Sequence, residues 1–360
     1  NAGICARFLN EAECPKFEVD IAGMILKLRT KFAQEDGLNP VHKFCLDTVA
    51  DRHLFHSMLR IASVAQGMIT KGQPMIRHLP MFLSGLTAGR SLPSVAPQPF
   101  RDILPTIKQD VPNPKGKIAI FTGCLLDFVY VDIATDVVKA LNMAGYIVEM
   151  PLGQACCGAP ATYMGDVENA KKAAEMNLNA MEAEKYDYIV SACPTCTHAL
   201  RDYVDFFKDD PEMLKKAEEL RSKTFDFCKL VSMLGGLPDT GDGVPMKVTY
   251  HDSCHLNRYL GVTKEQRELL KATKGVELIE MHDCDKCCGF GGSYSVKFPE
   301  MSAPILEEKI NNIVASGADV VAVDCPGCLL QIRGGLDARG LNNIQVKHTA
   351  QIVVEKREKK

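Results

Sequence analysis

The stretch KIAIFTGC, residues 117–124, begins the part of the chain whose pattern decides the fold. Its first five residues predict a short strand, and a cysteine follows where that strand has ended. The arrangement returns 130 residues later as KVTYHDSC, residues 247–254. After both stretches, short β-branched runs alternate with helical ones, which is typical of βαβ units. The sequence therefore predicts an α/β fold with mostly parallel sheets.

The predicted elements form an internal repeat. Strands are expected at residues 117–121, 146–150 and 188–190, and again at 247–250, 276–280 and 320–323. Helices are expected at 127–144 and 166–184, and again at 264–273 and 301–315. Gly145 and Gly275 precede corresponding strands, while Asp187 and Asp319 each stand six residues before a cysteine. We expect two similar α/β lobes related by a pseudo-twofold axis.

The first 116 residues follow other patterns. One helical stripe contains Ile21, Met24, Ile25 and Leu28, ends near Gly37 and Pro40, and is followed by a second run through Phe44, Val49, Leu54, Met58 and Ile61. Six prolines between residues 91 and 116 exclude regular helix or central strand and predict a linker or an extended wrap. The expected organisation is a helical module at 1–90, a linker at 91–116, and lobes at 117–235 and 247–350.

Composition limits the class of protein. The chain has 15 cysteines in 360 residues and no recognisable secretory signal, which predicts a reducing, cytoplasmic compartment. A net charge of −3 gives no indication of a nucleic-acid partner. No apolar run approaches the roughly 20 residues that cross a bilayer, so no transmembrane segment is expected. If the protein functions at the inner face of the cell membrane, we expect it to bind there peripherally.

The cysteines fall at equivalent points of the two repeats. The first set is Cys124, Cys156, Cys157, Cys193 and Cys196, and the second is Cys254, Cys287, Cys288, Cys325 and Cys328. Each group follows a predicted strand, at the edge where ligands bind in open α/β sheets. Helices follow closely, and their N-termini can stabilise thiolates. We expect each set of five to converge.

Four kinds of site compete for this pattern. A redox dithiol needs one Cys-x-x-Cys and has no use for three further thiols, and adjacent cysteines close a strained disulfide ring. Structural zinc takes four ligands and leaves one thiol over in each lobe. An iron–sulfur cluster uses thiolates, and paired cysteines can reach two iron atoms. The glycines after the pairs would let the backbone pass close to the inorganic core, and turn formation would also explain Gly291 and Gly292.

The repeats resemble CCG domains, the cysteine-rich modules of heterodisulfide reductase and of the iron–sulfur subunits that serve glycolate, lactate and glycerol-3-phosphate oxidation. The resemblance covers about residues 117–348 and is carried by FTGC at 121–124, QACCGAP at 154–160, YHDSCH at 250–255 and CPGCLLQ at 325–331. It implies that each set of five cysteines holds one [4Fe-4S] cluster, of either the cubane or the non-cubane type.

The N-terminal module departs from these relatives, which carry two ferredoxin-type cysteine runs ahead of the helices. Only Cys5 and Cys14 remain here, with Ala2 where a ligand is expected, so residues 1–90 resemble a remnant of a ferredoxin-like module. Two thiols cannot hold a cubane alone, and the rest of such a site would lie on another chain, lie upstream or be lost. Cys5 and Cys14 stay candidate ligands.

Six other residues have weaker patterns. Cys284 is a spare thiol or a sixth ligand, whereas Cys45 and Cys228 fit small core residues. His251, His255 and His282 flank the proposed ligands, either as donors to sulfur or as ordinary hydrogen-bonded histidines.

The resemblance implies an electron-transfer subunit of a flavin-dependent oxidoreductase. A flavoprotein partner carrying FAD would oxidise a 2-hydroxy acid such as glycolate or lactate, and the clusters would pass electrons to a ferredoxin-type or membrane quinone-reactive subunit. The sequence has no dinucleotide-binding glycine motif and no P-loop for chemistry of its own. The alternatives are a catalytic subunit that reduces a disulfide, like heterodisulfide reductase, and a zinc-stabilised scaffold.

Overall fold

The structure is a computed structural model that describes residues 21–70, 75–76, 91–238 and 243–357. It contains N-terminal helices followed by two four-stranded parallel sheets, one in each lobe. The predicted α/β fold class is confirmed. Within the described residues, no helix is long and apolar enough to cross a membrane.

The described residues of the N-terminal part form three helices and one antiparallel pair of short strands. They are α1 (Ile21–Glu35), α2 (Pro40–Ala50), α3 (Arg52–Thr70), β1 (Met75–Ile76) and the antiparallel β2 (Leu92–Pro93). Asn39 caps α2 through a hydrogen bond from Val41 N, with proline at the first helical position. The second predicted helical run is broken at Asp51, whose backbone is extended.

The proline-rich segment wraps the first lobe. It contains one short helix, α4 (Phe100–Ile103), so the expectation of no regular helix is wrong for this single turn. Phe100 is fully buried, and Arg101 forms a buried ion pair with Asp127, with Nε 2.7 Å from Oδ2. These contacts fix the segment to the lobe.

The first lobe contains four strands and seven helices. Its elements are β3 (Lys117–Ile120), α5 (Leu125–Phe128), α6 (Val131–Met143), β4 (Ile147–Glu149), α7 (Ala159–Met164), α8 (Val167–Met181), β5 (Tyr188–Ser191), α9 (Pro194–Arg201), α10 (Pro211–Lys223), β6 (Thr224–Asp226) and α11 (Phe227–Met233). Short 3₁₀ turns occupy Ala183–Lys185 and Asp202–Phe206, and a third, Leu104–Thr106, lies in the proline-rich segment.

The second lobe repeats the order of the strands, with one helix fewer between the third and the fourth. Its elements are β7 (Met246–Tyr250), α12 (Glu265–Lys271), β8 (Val276–Leu278), α13 (Tyr294–Lys297), α14 (Pro299–Ser316), β9 (Val320–Ala322), α15 (Pro326–Ala338), β10 (Gln345–Lys347) and α16 (Thr349–Glu355). A π-helical turn, His255–Tyr259, follows β7.

Both sheets have the same topology. The strand orders are β4-β3-β5-β6 and β8-β7-β9-β10, and all neighbours are parallel. The six predicted strands are present. The fourth strand of each sheet was not predicted, because β6 and β10 have three residues each and lie at an edge. The shared order confirms the internal repeat.

The lobes exchange their last helices. Helix α11 packs on α12 of the second lobe, and α16 packs on α6 of the first. Helices α6 and α12 hold equivalent places, each between the first two strands of its lobe. The exchange is therefore reciprocal, as a pseudo-twofold relation requires.

The Asp324 carboxylate lies where the exchanged helices meet. It accepts hydrogen bonds from the Tyr250 hydroxyl (2.6 Å), the Thr349 backbone N–H (3.2 Å) and the Cys228 thiol (3.5 Å). All four residues are fully buried. One side chain thus joins β7 to the starts of α11 and α16.

Two glycines close the loops that follow the cysteine pairs. Gly158 and Gly289 have φ of 80° and 84°, which L side chains rarely adopt. A Cβ on Gly289 would lie 2.7 Å from the Ser302 carbonyl oxygen, and one on Gly158 would lie 3.3 Å from that of Ala170. These glycines therefore serve a left-handed turn packed against α8 or α14, and the space that they leave faces this helix, not a cofactor as the sequence suggested.

Space for a thiol is provided at Gly123 instead. Its φ is 57°, and an added Cβ would lie 3.0 Å from Cys196 Sγ. Gly292 also has positive φ, 61°, with nothing within 4 Å of an added Cβ, so turn formation explains it.

Replacing Tyr250 by phenylalanine should lower the free energy of unfolding by about 1–3 kcal/mol, because Asp324 stays buried with one donor fewer. Tyr188→Phe, at a half-buried ring packed between Tyr146 and Phe225, should cost less and is the control. Anaerobic urea unfolding measures both. Equal midpoints for wild type and Tyr250→Phe would refute a central role for this bond.

Gly289→Ala should destabilise the protein by more than the roughly 1–2 kcal/mol that left-handed backbone costs an alanine, since its Cβ also meets backbone. Gly292→Ala carries the backbone cost alone and is the matched control. The comparison uses urea midpoints, and a Gly289→Ala loss no larger than that of Gly292→Ala would contradict the packing role.

Candidate metal centre

The five thiols of the first lobe form one connected group. Cys124 follows β3, Cys156 and Cys157 follow β4, and Cys193 and Cys196 lie at the N-terminus of α9. Hydrogen bonds connect the thiols in the order Cys124, Cys156, Cys157, Cys196, Cys193. The structure thus brings together the whole first set of sequence-predicted residues.

The second lobe repeats the group. The thiols of Cys287, Cys288, Cys328 and Cys325 are connected in that order, and Gly289 N donates to Cys287 Sγ at 3.2 Å. Cys254 is buried four residues after β7, the place that Cys124 holds after β3. Cys325 and Cys328 begin α15 as their counterparts begin α9.

Crowding and burial shift the acidity of these thiols. The hydrogen bond with Cys287 and burial raise the pKa of Cys288 to about 12, and the pKa of Cys328 is also raised by its thiol neighbours. Hydrogen bonds from Cys156 and Cys196 lower the pKa of Cys157 to about 6. One thiolate in a group is stabilised by protonated neighbours, so several at once require a cation.

The donor set fits a thiolate-bound metal centre. Sulfur atoms are the ligands of iron–sulfur clusters and of structural zinc, and five per lobe exceed the four of a closed zinc site. The ten cysteines are free thiols with no disulfide between them. Helix N-termini at both Cys-Pro-x-Cys motifs, Cys193–Cys196 and Cys325–Cys328, add favourable partial charges for bound sulfur.

His251 lies inside the second group. A ring nitrogen and the Sγ atoms of Cys288 and Cys328 all lie within 4.8 Å of one another. The ring is fully buried, and neither nitrogen has hydrogen-bond geometry to another described residue. Burial lowers its pKa to about 3, so the imidazole is neutral. The equivalent residue of the first lobe, three positions before Cys124, is Phe121.

The other two flanking histidines make ordinary contacts. His255 Nε2 lies 2.7 Å from the Tyr163 hydroxyl, and its Nδ1 lies 3.4 Å from Thr195 Oγ1. His282 is exposed and lies 3.0 Å from an Asp283 oxygen.

The remaining cysteines differ in environment. Cys228 is a buried core residue, as predicted, and burial raises its pKa. The prediction of a core position for Cys45 is wrong: it is exposed on α2. Cys284 is half-buried, 3.6 Å from Arg267 Nη2, and burial raises its pKa to about 11. Cys5 and Cys14 lie outside the described residues.

Two residues that sequence analysis missed brace the cysteine-pair loops. Asn177 on α8 donates to the Cys156 carbonyl (2.9 Å) and accepts from Ala155 N. Lys309 on α14 is buried and donates to the Cys284 carbonyl (3.3 Å) and to that of Asp283. The sequence signal that could have identified them is a polar residue on the buried side of each predicted helix.

Comparisons with known proteins agree with this geometry. The CCG (cysteine-rich domain) family model matches residues 118–201 and 248–333. Lactate utilization protein A of Shouchella clausii is 39% identical over 240 residues, which cover 66% of this chain and 99% of that protein. The proteins of that name from Bacillus velezensis and Bacillus subtilis are 37% and 36% identical over 238 residues, 66% of this chain and 98% of each.

The alignments leave about one-third of this chain without a counterpart in these relatives. The two domain matches contain all ten clustered cysteines, and the shared strand order shows that both copies fold alike. The chain therefore belongs to the CCG cysteine-rich domain family and contains two copies of the domain.

Proposed function

We propose that this chain is an iron–sulfur electron-transfer subunit in the oxidation of lactate or a related 2-hydroxy acid such as glycolate. The observation that carries the proposal is the clustering of thiols at equivalent sheet edges, five connected in the first lobe and four in the second, where Cys254 holds the place of Cys124. Eight of the ten thiols are buried, and Cys124 and Cys287 are half-buried. The names of the relatives, which refer to lactate utilization, supply the substrate class.

Each group would hold one [4Fe-4S] cluster. The first-lobe ligands would be Cys124, Cys156, Cys157, Cys193 and Cys196, and the second-lobe ligands Cys254, Cys287, Cys288, Cys325 and Cys328. Such a cluster supplies a one-electron acceptor that is also a one-electron donor. The chain itself contributes thiolates, buries them away from water and places two helix N-termini beside them.

The hydride chemistry is assigned to a flavoprotein partner that carries FAD. Oxidation of a 2-hydroxy acid to the oxo acid releases two electrons and two protons, and this sequence has no dinucleotide-binding glycine motif to accept them as hydride. The two electrons would pass singly through the two lobes to a ferredoxin-type protein or a quinone-reactive membrane subunit.

A second candidate is reduction of a disulfide, as in heterodisulfide reductase, because both lobes keep all five cysteines. That reaction needs an opening beside the thiols. The names of the relatives refer to lactate utilization, which favours electron transfer over this reaction.

Replacing Cys157 or Cys288 by alanine should remove or convert one cluster and leave the other lobe loaded, with about half the iron and sulfide if the cluster is lost. Cys45→Ala, at an exposed thiol outside both groups, is the control and should keep the full content. Anaerobic purification with iron, zinc and acid-labile sulfide analysis and EPR is the measurement. Unchanged content and spectra in both variants would contradict the ligand sets.

We propose further that α3 docks on an anionic membrane surface on the cytoplasmic side. Leu54, Met58, Ile61 and Val64 form a stripe along α3, with 45%, 43%, 69% and 69% of their surfaces exposed. The opposite face binds the body of the protein: Ser63 Oγ donates to the Ala96 carbonyl at 2.9 Å. The apolar face of this helix thus points away from the core.

Charge indicates the kind of surface. From Arg52 to Arg90 the sequence contains no acidic residue and five basic ones: Arg52, Arg60, Lys71, Arg77 and Arg90. Arg60 is exposed on α3 and is paired with Asp102 at 2.6 Å. A basic, amphipathic helix binds by inserting its apolar face at the headgroup level while anionic lipid attracts its charge. An anionic bilayer surface fits both properties.

The test is co-sedimentation with phosphatidylglycerol/phosphatidylcholine vesicles and with pure phosphatidylcholine vesicles. The wild type should pellet with the anionic vesicles, less so in high salt, and Ile61→Ser with Val64→Ser should weaken this. Met301→Ser with Val314→Ser, at exposed apolar residues of α14, is the matched control. Equal pelleting of the α3 variant and wild type, or none with anionic vesicles, would exclude lipid docking by this face.

A further inference from the structure

The two cysteine groups differ in two places that the internal repeat makes equivalent. The first difference is His251 in the second lobe against Phe121 in the first, each three residues before the first cysteine of its set. Both side chains are fully buried. A polar ring therefore stands in one lobe where an apolar ring stands in the other.

The neutral imidazole of His251 has one N–H to donate. Its ring is close to Cys288 and Cys328 Sγ, and the Cys284 backbone interacts with it without reaching hydrogen-bond geometry. A buried donor without a partner is destabilising. Donation to a sulfur of a bound cluster would remove that cost and draw negative charge from the cluster.

The second difference is Lys309 against Asn177. Each lies seven residues after the residue whose carbonyl faces the loop glycine, Ser302 and Ala170 respectively. Both brace the cysteine-pair loop through hydrogen bonds to backbone. The lysine, however, places an ammonium group beside the buried cysteines of its group. Burial lowers its pKa, and its attraction to nearby groups, Cys288 first, opposes that shift and favours the charged form.

Other charges near the second group compensate each other in part. Asp252 is paired with Arg267 at 2.7 Å, and Arg267 also lies 2.7 Å from Glu280, which is more exposed. In the first lobe, the side chains that hold the pair loop, Asn177 and Tyr203, are neutral. Asp283 and Asp285 also interact with Lys309, but they are half-buried and exposed, so water screens their charges more than that of the buried lysine. The second lobe is therefore the better environment for added negative charge.

We propose that His251 and Lys309 give the second-lobe cluster the higher reduction potential, so that electrons pass from the first lobe to the second. The inference rests on the proposed function, since it needs a cluster in each lobe. In the transfer, one electron leaves the reduced first centre and enters the oxidised second one, and no bond forms or breaks. Hydrogen bonds and nearby charge are known determinants of such potentials.

The test is an EPR-monitored redox titration of the anaerobically purified chain, which resolves two midpoint potentials. His251→Phe, which copies the first lobe, should lower the higher potential and leave the other unchanged. Phe121→His should raise the lower one. His251→Gln keeps a donor and should shift the potential less than phenylalanine does, which a purely steric role of His251 would not give.

Lys309→Asn, which copies Asn177, should also lower the higher potential. Lys286→Asn removes an exposed lysine of the same lobe, where water screens the charge, and is the control with little expected shift. If both clusters are present by iron and sulfide analysis and neither His251→Phe nor Lys309→Asn moves a potential, the inference fails while the proposed function stands. If wild type holds no iron–sulfur clusters, both fail.

Discussion

The crowding of thiols at one sheet edge of each lobe is the constraint on which the rest of the structure depends. Parallel strands bring them to one sheet edge, Gly123 leaves room for Cys196 Sγ, and left-handed glycines turn the pair loops onto the following helices. Buried thiols that hydrogen-bond chiefly to each other cannot all ionise unless a cation is added. A metal centre in each lobe would therefore supply the positive charge that balances the thiolates.

The relation between the lobes follows from the same geometry. Helices α11 and α16 exchange places, and the Asp324 carboxylate, bonded to Tyr250 and Thr349, holds the exchange at its centre. Asp324 directly precedes Cys325, so the contact that joins the lobes also fixes the start of a cysteine loop. The relative placement of the two groups and the shape of this cysteine loop are consequently coupled, which suits the electron transfer between lobes that we propose.

The repeat, the six main strands and the convergence of the cysteines could be predicted, because strand periodicity and ligand spacing are local in sequence. The edge strands β6 and β10 could not be predicted, because three residues are too few to show the alternation of apolar and polar residues that is typical of a strand. The environment of Lys309 depends on tertiary packing, which the pattern does not contain. Helix α3 was predicted from its stripe, but Ile61 faces outward because polar Ser63 binds the body, and a stripe does not say which face packs.

The chain thus combines two similar groups of thiols with helix α3, whose apolar face points away from the core and suits the membrane docking that we propose. The proposed function requires iron, and not zinc, in both lobes. Anomalous diffraction from anaerobically grown crystals, recorded at the iron and zinc edges, tests this most directly. Two separate iron peaks are predicted, one surrounded by the cysteines of each lobe. Zinc peaks at those places, or iron in one lobe alone, would contradict the claim.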